Sequence, residues 1–403
     1  MLWSSGIVSV LHTLNLYQKP KLGNGFIGRF TAFNYSHRIL AMGGFDTASC
    51  QLALDRKAAE TALEQWVGNR VAIYVQSAVV PIWEGLISRV TIQAGSAQFT
   101  ASLDEMFNKV RVTFSQRNAT PNTQTTTPVE NATSQAIYGV KEGNIDGLGN
   151  NSVSVDVTQK TTLANRMLAT RAYPKVSTAI GGSSQALVGV EMVGLYQTLM
   201  WEIWEAGVSS VVTPLSAYDL LFKTAGVNRF ANLNTFFDNT DFSQVTNNLA
   251  FNTPINFGGS YWDNIRGIAE SGDGTNRYIT GITPTDPNTG TRRLYYQVAN
   301  TTVEYTLATR FDVGRVRTLY GAPVPAWEVR PDRGVRVMDV LTGWALQGDD
   351  PRQFYLEAVN YDANSQTVSL QGSDNIELEG ALQLDSLYKA IGTRFGPATR
   401  TLY

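Results

Sequence analysis

The sequence predicts an α+β protein in which strands dominate, and three observations carry that prediction. Runs rich in Phe, Tyr, Thr, Val and Ile recur along most of the 403 residues. Many alternate apolar and polar residues with the period of two that a half-buried strand needs. Gly, Pro and Asn clusters separate these runs, and few stretches carry a helical period. The pattern reads as small barrels or sandwiches in one chain, with short helices between them.

Residues 1 to 55 read as strands, with "GRFTAFNYSHRIL" rich in β-formers and "GFDTASCQLAL" alternating. "DRKAAETALEQWVGN" is a helix: Ala58, Ala62, Leu63 and Trp66 share a face, Asp55 opens it and Gly68 stops it. Val71, Ile73 and Val75 then alternate with Ala72, Tyr74 and Gln76. Leu86, Val90 and Ile92 continue the pattern beyond a corner at Pro81 to Gly85, so the two runs form a hairpin. In that corner Trp83 reads as a core or interface plug. Gly85 reads as relief for a bend or bulge, and Glu84 as solvated or paired at a subunit boundary. "KVRVTF", 109 to 114, is a further strand.

Residues 115 to 135 are polar and contain two prolines, which describes a linker or extended surface loop. "TQKTTLANRMLATRAYPKV" is a helix that ends before Pro174, since the residue before proline avoids the helical basin. Residues 176 to 212 are strand-like. "TPLSAYDLLFKTAG" is a helix with Thr213 as N-cap, Pro214 in its first turn and Gly226 at its end. "GSYWDNIRGIAESGDG" places Tyr261, Ile265 and Ile268 on one helical face, with Trp262 and Ala269 beside it. Residues 277 to 330 are strands with Gly/Pro/Asn turns. "RGVRVMDV" is a strand, "RQFYLEAVNYDANSQTVSLQG" a hairpin turning at Asp362–Asn364, and "ALQLDSLYKAIG" a short helix.

Charged residues are 16% of the chain, below the usual quarter or so. Such a surface is covered by Asn, Gln, Thr and Ser or hidden against other subunits. The net charge is −2 and no long basic run occurs, so the electrostatic footprint of tight duplex binding is missing. Cys50 is the single cysteine, which excludes an intrachain disulfide. The two histidines, His12 and His37, lie in strand sequence with no Cys/His cluster, which argues against zinc and against a Ser-His-Asp triad. The first residues lack the basic region of a signal peptide, and no apolar run of about 18 residues occurs.

"GNGFIG", Gly23 to Gly28, spells a dinucleotide fingerprint. It runs into "RFTAFNYS", which has no helical period to receive a pyrophosphate, so a glycine-rich bend is expected. Glu84, Glu202, Glu205, Asp263 and Glu328 sit beside or near tryptophans. Glycoside hydrolysis needs two facing carboxyls, and Glu202 and Glu205 are three apart. The plainer reading packs Trp201 and Trp204 inward and solvates both acids. "GDGTNR", 272 to 277, and "DPNTG", 286 to 290, offer turn oxygens but not the EF-hand order, so they read as Asx and β-turns. Arg292-Arg293 and the trio Arg310, Arg315 and Arg317 alternate with apolar residues and form one exposed face suited to a subunit contact. No catalytic, cofactor-binding or metal-binding residue is assigned.

Taken in order, several phrases resemble a known family. "ALEQWVGNRVAIYV" leads into "PIWEGLISRVTIQAGSAQFTASLDEMFNKVRVTFS". Then follow "SQAIYGVKEGNI", "SYWDNIRGIAESGDGTNRYITGI", "PVPAWEVRPDRGVRVMDV" and "FYLEAVNYDANSQTVSLQG". This order resembles the tail hub or minor tail proteins of bacteriophages, relatives of the baseplate hub. The matching phrases are Trp83 to Ile87, Leu103 to Phe114, Tyr138, Gly139 and Glu142 with the helix around Leu163–Leu168, and Pro325 to Asp339, where Ala326 separates the proline from Trp327.

The resemblance implies a mostly β fold of two tube-like barrel domains with an inserted α/β region. Its expected parts are a first barrel at 1–115, a linker and second β-rich domain with one helix at 116–212, a helical/β insertion at 213–305, and C-terminal strands completing a barrel plus a short helix at 306–403. It further implies a homotrimeric ring in the virion tail tip or baseplate, assembled in the host cytoplasm. The ring would join the tail tube or distal tail protein to the tip, contact tape-measure and fibre proteins, and let DNA through its lumen during ejection. No enzyme activity and no cofactor are expected. Two other readings compete. One is a carbohydrate-binding tail adhesion protein stacking sugars on Trp201, Trp204 or Trp262. The other is a wall hydrolase using Glu84 or the Glu202/Glu205 pair.

Overall fold

The computed structural model describes residues 10–76, 78–115, 123–146, 157–180, 187–203, 232, 235–237, 239–241, 259–271, 278–308, 316–318, 320, 322–338 and 352–373. Strand β1 (His12–Tyr17) passes through a 3-10 turn (Pro20–Leu22) into the long β2 (Phe26–Leu40), and β3 (Gly44–Leu52) follows. Helix α1 (Arg56–Gln65) begins where the Asp55 carboxylate accepts from Ala58 N at 2.7 Å, which satisfies one orphan amide of its first turn. Gly68, at φ 86°, reverses the chain into β4 (Arg70–Val75). Then come β5 (Trp83–Ala94), β6 (Ala97–Ser102) and β7 (Lys109–Ser115).

The polar 115–135 stretch is only partly a linker. It contains β8 (Thr123–Thr125), β9 (Val129–Glu130) and the start of α2 (Ala132–Tyr138), which Asn131 caps. Its hydroxyls act in place of apolar contacts: buried Thr126 accepts from Val112 N at 3.1 Å. Beyond it lie β10 (Glu142–Ile145), α3 (Val157–Arg171), β11 (Lys175–Ile180), β12 (Val188–Gly194) and a 3-10 segment (Leu195–Met200). The chain continues through β13 (Asn239–Asp241), α4 (Tyr261–Ser271), β14 (Tyr278–Ile282), β15 (Arg293–Val298), β16 (Val303–Ala308) and β17 (Val316–Thr318). A 3-10 turn (Ala326–Glu328) precedes β18 (Gly334–Met338), β19 (Arg352–Asp362) and β20 (Thr367–Ser373). The helices expected at 213–226 and near the C-terminus lie outside the described residues.

Six strands close into a barrel in the order β1-β4-β5-β12-β3-β2, and β2 pairs back onto β1. Every contact in the ring is antiparallel, from His12↔Ala32 at the closure to Val190↔Val90 across from it. The period-two pattern turns one set of residues inward. Leu14, Leu16, Tyr35, Cys50, Val71, Ile73, Trp83, Ile87, Val90 and Val190 belong to one buried cluster. So few strands enclose only enough room for their own side chains, and the barrel is a packed core rather than a pore. Its sixth strand, β12, comes from outside the 1–115 segment expected to form it.

The barrel strands outgrow the barrel. β5 continues into a β5-β6-β11 flap, and all of β11 whose exposure is described lies open to solvent. The C-terminal half of β2 leaves β1 and pairs with β19, from Leu40↔Ala358 to Ser36↔Asp362. Through β19 the sheet extends to β20 on one side and to β18, β16 and β17 on the other. The fold is therefore α+β and mostly β. One barrel closes among the described residues, and the C-terminal strands extend its sheet. Two small sheets sit beside it. β7 carries β8, β9 and β10, with Ala164 and Leu168 of α3 packed on Val110, Val112 and Phe114. β14 and β15 carry β13 and pack on α4, whose Tyr261, Ile265, Ile268 and Ala269 are buried on the face that periodicity marks.

Candidate functional site

The Trp83-Glu84-Gly85 triplet lies within β5, in the barrel wall, and each residue faces a different demand. Trp83 is fully buried in the core, with its ring centroid 6.1 Å from that of Phe45. Glu84, one position on, turns to the other face and is only 1% exposed. There it accepts from Arg70 Nη1 at 2.7 Å, from Thr285 N at 2.9 Å and from Thr285 Oγ1 at 2.6 Å. The Arg70 guanidinium also lies 4.0 Å from the Tyr17 ring centroid. Glu84 is thus neither solvated nor held for a second subunit. It clamps the β14–β15 loop onto the barrel inside one chain, because a buried carboxylate requires charged and polar donors close by.

Gly85 is not a bend. A Cβ there would lie 2.1 Å from Val193 O and 2.4 Å from Trp83 Cη2, so glycine permits close approach of β12. Its cross-strand partner is Gly194, where a Cβ would lie 1.6 Å from Phe45 O. On the same flank Tyr196 Oη donates to Asp46 at 2.6 Å, and Gly43 N donates to Thr280 O at 2.8 Å.

A second polar junction ties the β7 sheet to the core. Buried Glu142 pairs with Lys109 at 2.5 Å and Arg111 at 2.9 Å, and its amide donates to Trp201 O at 2.7 Å. The Asn108 amide donates to Gly139 O at 2.7 Å and accepts from Lys141 N at 2.8 Å. Gly139 stands at φ 81°, and a Cβ on it would strike Asn232 Oδ1 at 2.6 Å. Asn232 and Val140 exchange hydrogen bonds in both directions at 2.8 Å. Burial pushes the Lys141 amine down to about 8, partly opposed by Asp104, and pushes Lys19 down to about 8.

The remaining sequence candidates resolve as follows. "GNGFIG" is a turn, with Gly23 at φ 98° and Asn24 at φ 56°, that feeds β2 and no helix. Glu202 is buried and accepts from Asn232 N at 2.9 Å, so it is not a solvated acid. Trp201 is half-buried, in an edge contact with Phe236 at 5.5 Å, and Trp262 is buried 4.6 Å from Tyr196, so Trp262 offers no free ring face to a sugar. Asp263 exchanges bonds with Ser260 at the start of α4, an N-cap arrangement. Asp286 accepts from Asn288 N at 2.8 Å and Thr289 Oγ1 at 2.9 Å, an Asx turn. Glu328 is exposed on its 3-10 turn. In the basic set Arg292 is buried rather than surface-facing, whereas Arg293 is exposed. Glu205, Trp204, Arg310, Arg315 and the 272–277 loop lie outside the described residues. His12 and His37 are both buried, among tyrosines.

A groove of about 670 Å³ lies along the seam of β2, β3 and β12 with β19 and β20, and His37, Tyr361 and Asp104 help to line it. Ser36, Arg38, Ser49, Glu191, Asp362 and Thr367 are among its lining residues. Arg70, Thr285 and Asp46 were not singled out by sequence reasoning. Their partners lie far off in the chain, and only strand pairing brings them together.

The described residues form a filled antiparallel barrel with satellite sheets fastened to it by buried ion pairs and amide networks. No family model matches the chain, and no curated protein matches it. Among solved structures it is similar to the tail protein from Neisseria meningitidis MC58, with a TM-score of 0.41 and 10% identity over 90% of this chain and 95% of that one. It is also similar to the E. coli c3393 protein, described as a component of the type VI secretion system with structural similarity to the T4 bacteriophage tail proteins gp27 and gp5. There the TM-score is 0.35 and the identity 9%, over 90% of this chain and 72% of that one. Likeness at this level does not define a shared fold.

Proposed function

We propose that the chain is a structural, non-catalytic component of a bacteriophage tail. In this reading it is a hub protein whose copies form a ring that joins the tail tube or distal tail protein to the tip. The observation that carries the reading is where the family-like phrases fall. Trp83 to Ile87 forms the barrel wall and its clamp, Leu103 to Phe114 leads from the barrel into the β7 sheet, and Tyr138, Gly139 and Glu142 build the joint between that sheet and the core. In this reading the phrases mark the joints of a scaffold rather than a reaction centre. Because the barrel is filled, a passage for DNA has to lie between copies, not through one. The net charge of −2 leaves little to hold phosphates in transit. Stacking of a glycan on Trp262 is disfavoured by its burial.

Electron microscopy of the purified chain, with its mass in solution, tests the reading. A three-fold ring with a central opening is expected. A monomer at high concentration that also fails to join isolated tail tubes would refute it.

A further inference from the structure

The seam between barrel and C-terminal sheet contains a buried cluster of ionisable rings. His37 on β2 stands opposite Tyr361 on β19. Tyr35 Oη and His37 Nδ1 are 2.9 Å apart, and Tyr361 Oη and His12 Nε2 are 3.2 Å apart. Ring centroids lie 5.0 Å apart for His12–Tyr35 and 5.2 Å for His37–Tyr361. Both histidines are buried, and among the described residues His37 Nε2 has no hydrogen-bond partner.

Burial, Arg330 and His12 favour a neutral imidazole at His37. β1 supplies His12, β2 supplies Tyr35, β3 supplies the Cys50 thiol near Tyr35, and β19 supplies Tyr361. Arg330, from the loop before β18, brings a positive charge that acts on both His37 and Tyr35. Burial, then Arg330, then His12 hold His37 well below the usual imidazole range, and burial also lowers His12. Among the described residues no carboxylate bonds or pairs with either imidazole; Asp104, Glu191 and Asp362, with Arg38, line the groove that His37 and Tyr361 also line. Asp362 acts on Tyr361, Glu328 acts on Arg330, and Asp46 pairs with Arg38.

We propose that this seam is an acid-sensitive latch: charging His37, which no carboxylate among the described residues bonds, releases β19 from β2, so that the C-terminal sheet undocks while the barrel stays closed. The topology separates the two events. The barrel closes through β1 and the N-terminal half of β2, from His12↔Ala32 to Tyr17↔Phe26, whereas β19 holds only the C-terminal half, from Ser36 to Leu40. An undocked His37 takes a proton near an ordinary pKa of about 6.5, and a docked one does not. The open state therefore binds more protons below that pH, and docking weakens as the pH falls. The inference does not depend on the tail reading.

Hydrogen exchange of the full chain, read peptide by peptide from pH 7.5 to 5 and corrected for the intrinsic rate, tests it. The opening constant of β19 is expected to rise by about tenfold per pH unit below about 6.5, while β4 and β5 keep theirs. His37→Gln, neutral at every pH, should flatten the β19 response. A β19 response that is flat in the wild-type chain, or that β4 and β5 share, overturns the latch. So does a His37→Gln chain that keeps the full response. Should His37→Gln not fold, the wild-type comparison of β19 with β4 and β5 decides alone.

Discussion

Thr285 closes over Glu84 from 201 residues away, giving the carboxylate both its backbone N–H and its hydroxyl while Arg70 supplies the charge. With Glu84 1% exposed, this is a buried ion pair, and its two sides respond unequally to change. Glu84→Ala leaves a guanidinium and an amide buried without their acceptor and is expected to cost about 3–5 kcal/mol. Replacing both charges with well-packed apolar residues, as in Arg70→Met with Glu84→Met, should recover much of that loss. Urea midpoints of these two variants and of the wild-type chain check this. A wild-type midpoint for Glu84→Ala would show that the clamp does not hold the junction.

Gly85→Ala should be far worse than its size suggests. The backbone there is ordinary, so the cost comes from space alone: the new methyl would meet Val193 O at 2.1 Å and force β5 and β12 apart. The expected result is loss of soluble, folded chain. Gly290→Ala is the control. It has open space around it but φ 70°, so it should cost only about 1 kcal/mol and express normally. Equal yields for the two variants would contradict the packing of the wall.

Legibility in the sequence followed the range of the interactions. Helix α1 is visible because its cap, apolar face and stop all fall in the one local stretch from Asp55 to Gly68, and α4 because Tyr261, Ile265 and Ile268 repeat locally. The alternation of Val71, Ile73 and Val75 identified a strand but not its neighbours. Nothing local in Val188 to Gly194 says that it sits between β5 and β3. Glu84 was misread for the same reason: its charge partner is 14 residues away and its cover 201 away. Glu202 was misread because its donor, Asn232 N, is 30 residues on. Polar residues with no local partner read as surface, and here several are fasteners between sheets.

Trp262 is a structural anchor, and its substitution separates that role from ligand binding. Its ring packs 4.6 Å from Tyr196 in the cluster that joins α4 to β14 and β15. Trp262→Ala should cost about 3–5 kcal/mol through the cavity it leaves, and Trp262→Phe distinctly less. Thermal melting and near-ultraviolet circular dichroism read the difference. If Trp262→Ala melts like the parent chain, the residue is not packed as the structure places it.

Buried Lys19 and half-buried Lys141 set a rise in stability on the alkaline side. Lys141 Nζ donates to Leu103 O and lies 5.6 Å from the Trp201 ring centroid and 5.8 Å from that of Phe107. Lys19 donates to Gln65 O at 2.6 Å. Burial brings both amines down to about 8, whereas in the unfolded chain a lysine holds its proton to about 10.4. Between these limits the unfolded chain binds more protons than the folded one, so stability rises with pH through the window from about 8 to 10. Above about 10 the sign reverses. Burial raises the Tyr35 and Tyr295 phenols, and the unfolded chain then loses its phenolic protons first. Unfolding free energy against pH should therefore climb, peak near 10 and fall. Lys141→Met should remove its share of the climb and leave the fall untouched. An unchanged slope in Lys141→Met would mean that Lys141 keeps its proton through this range and is better solvated than its burial indicates.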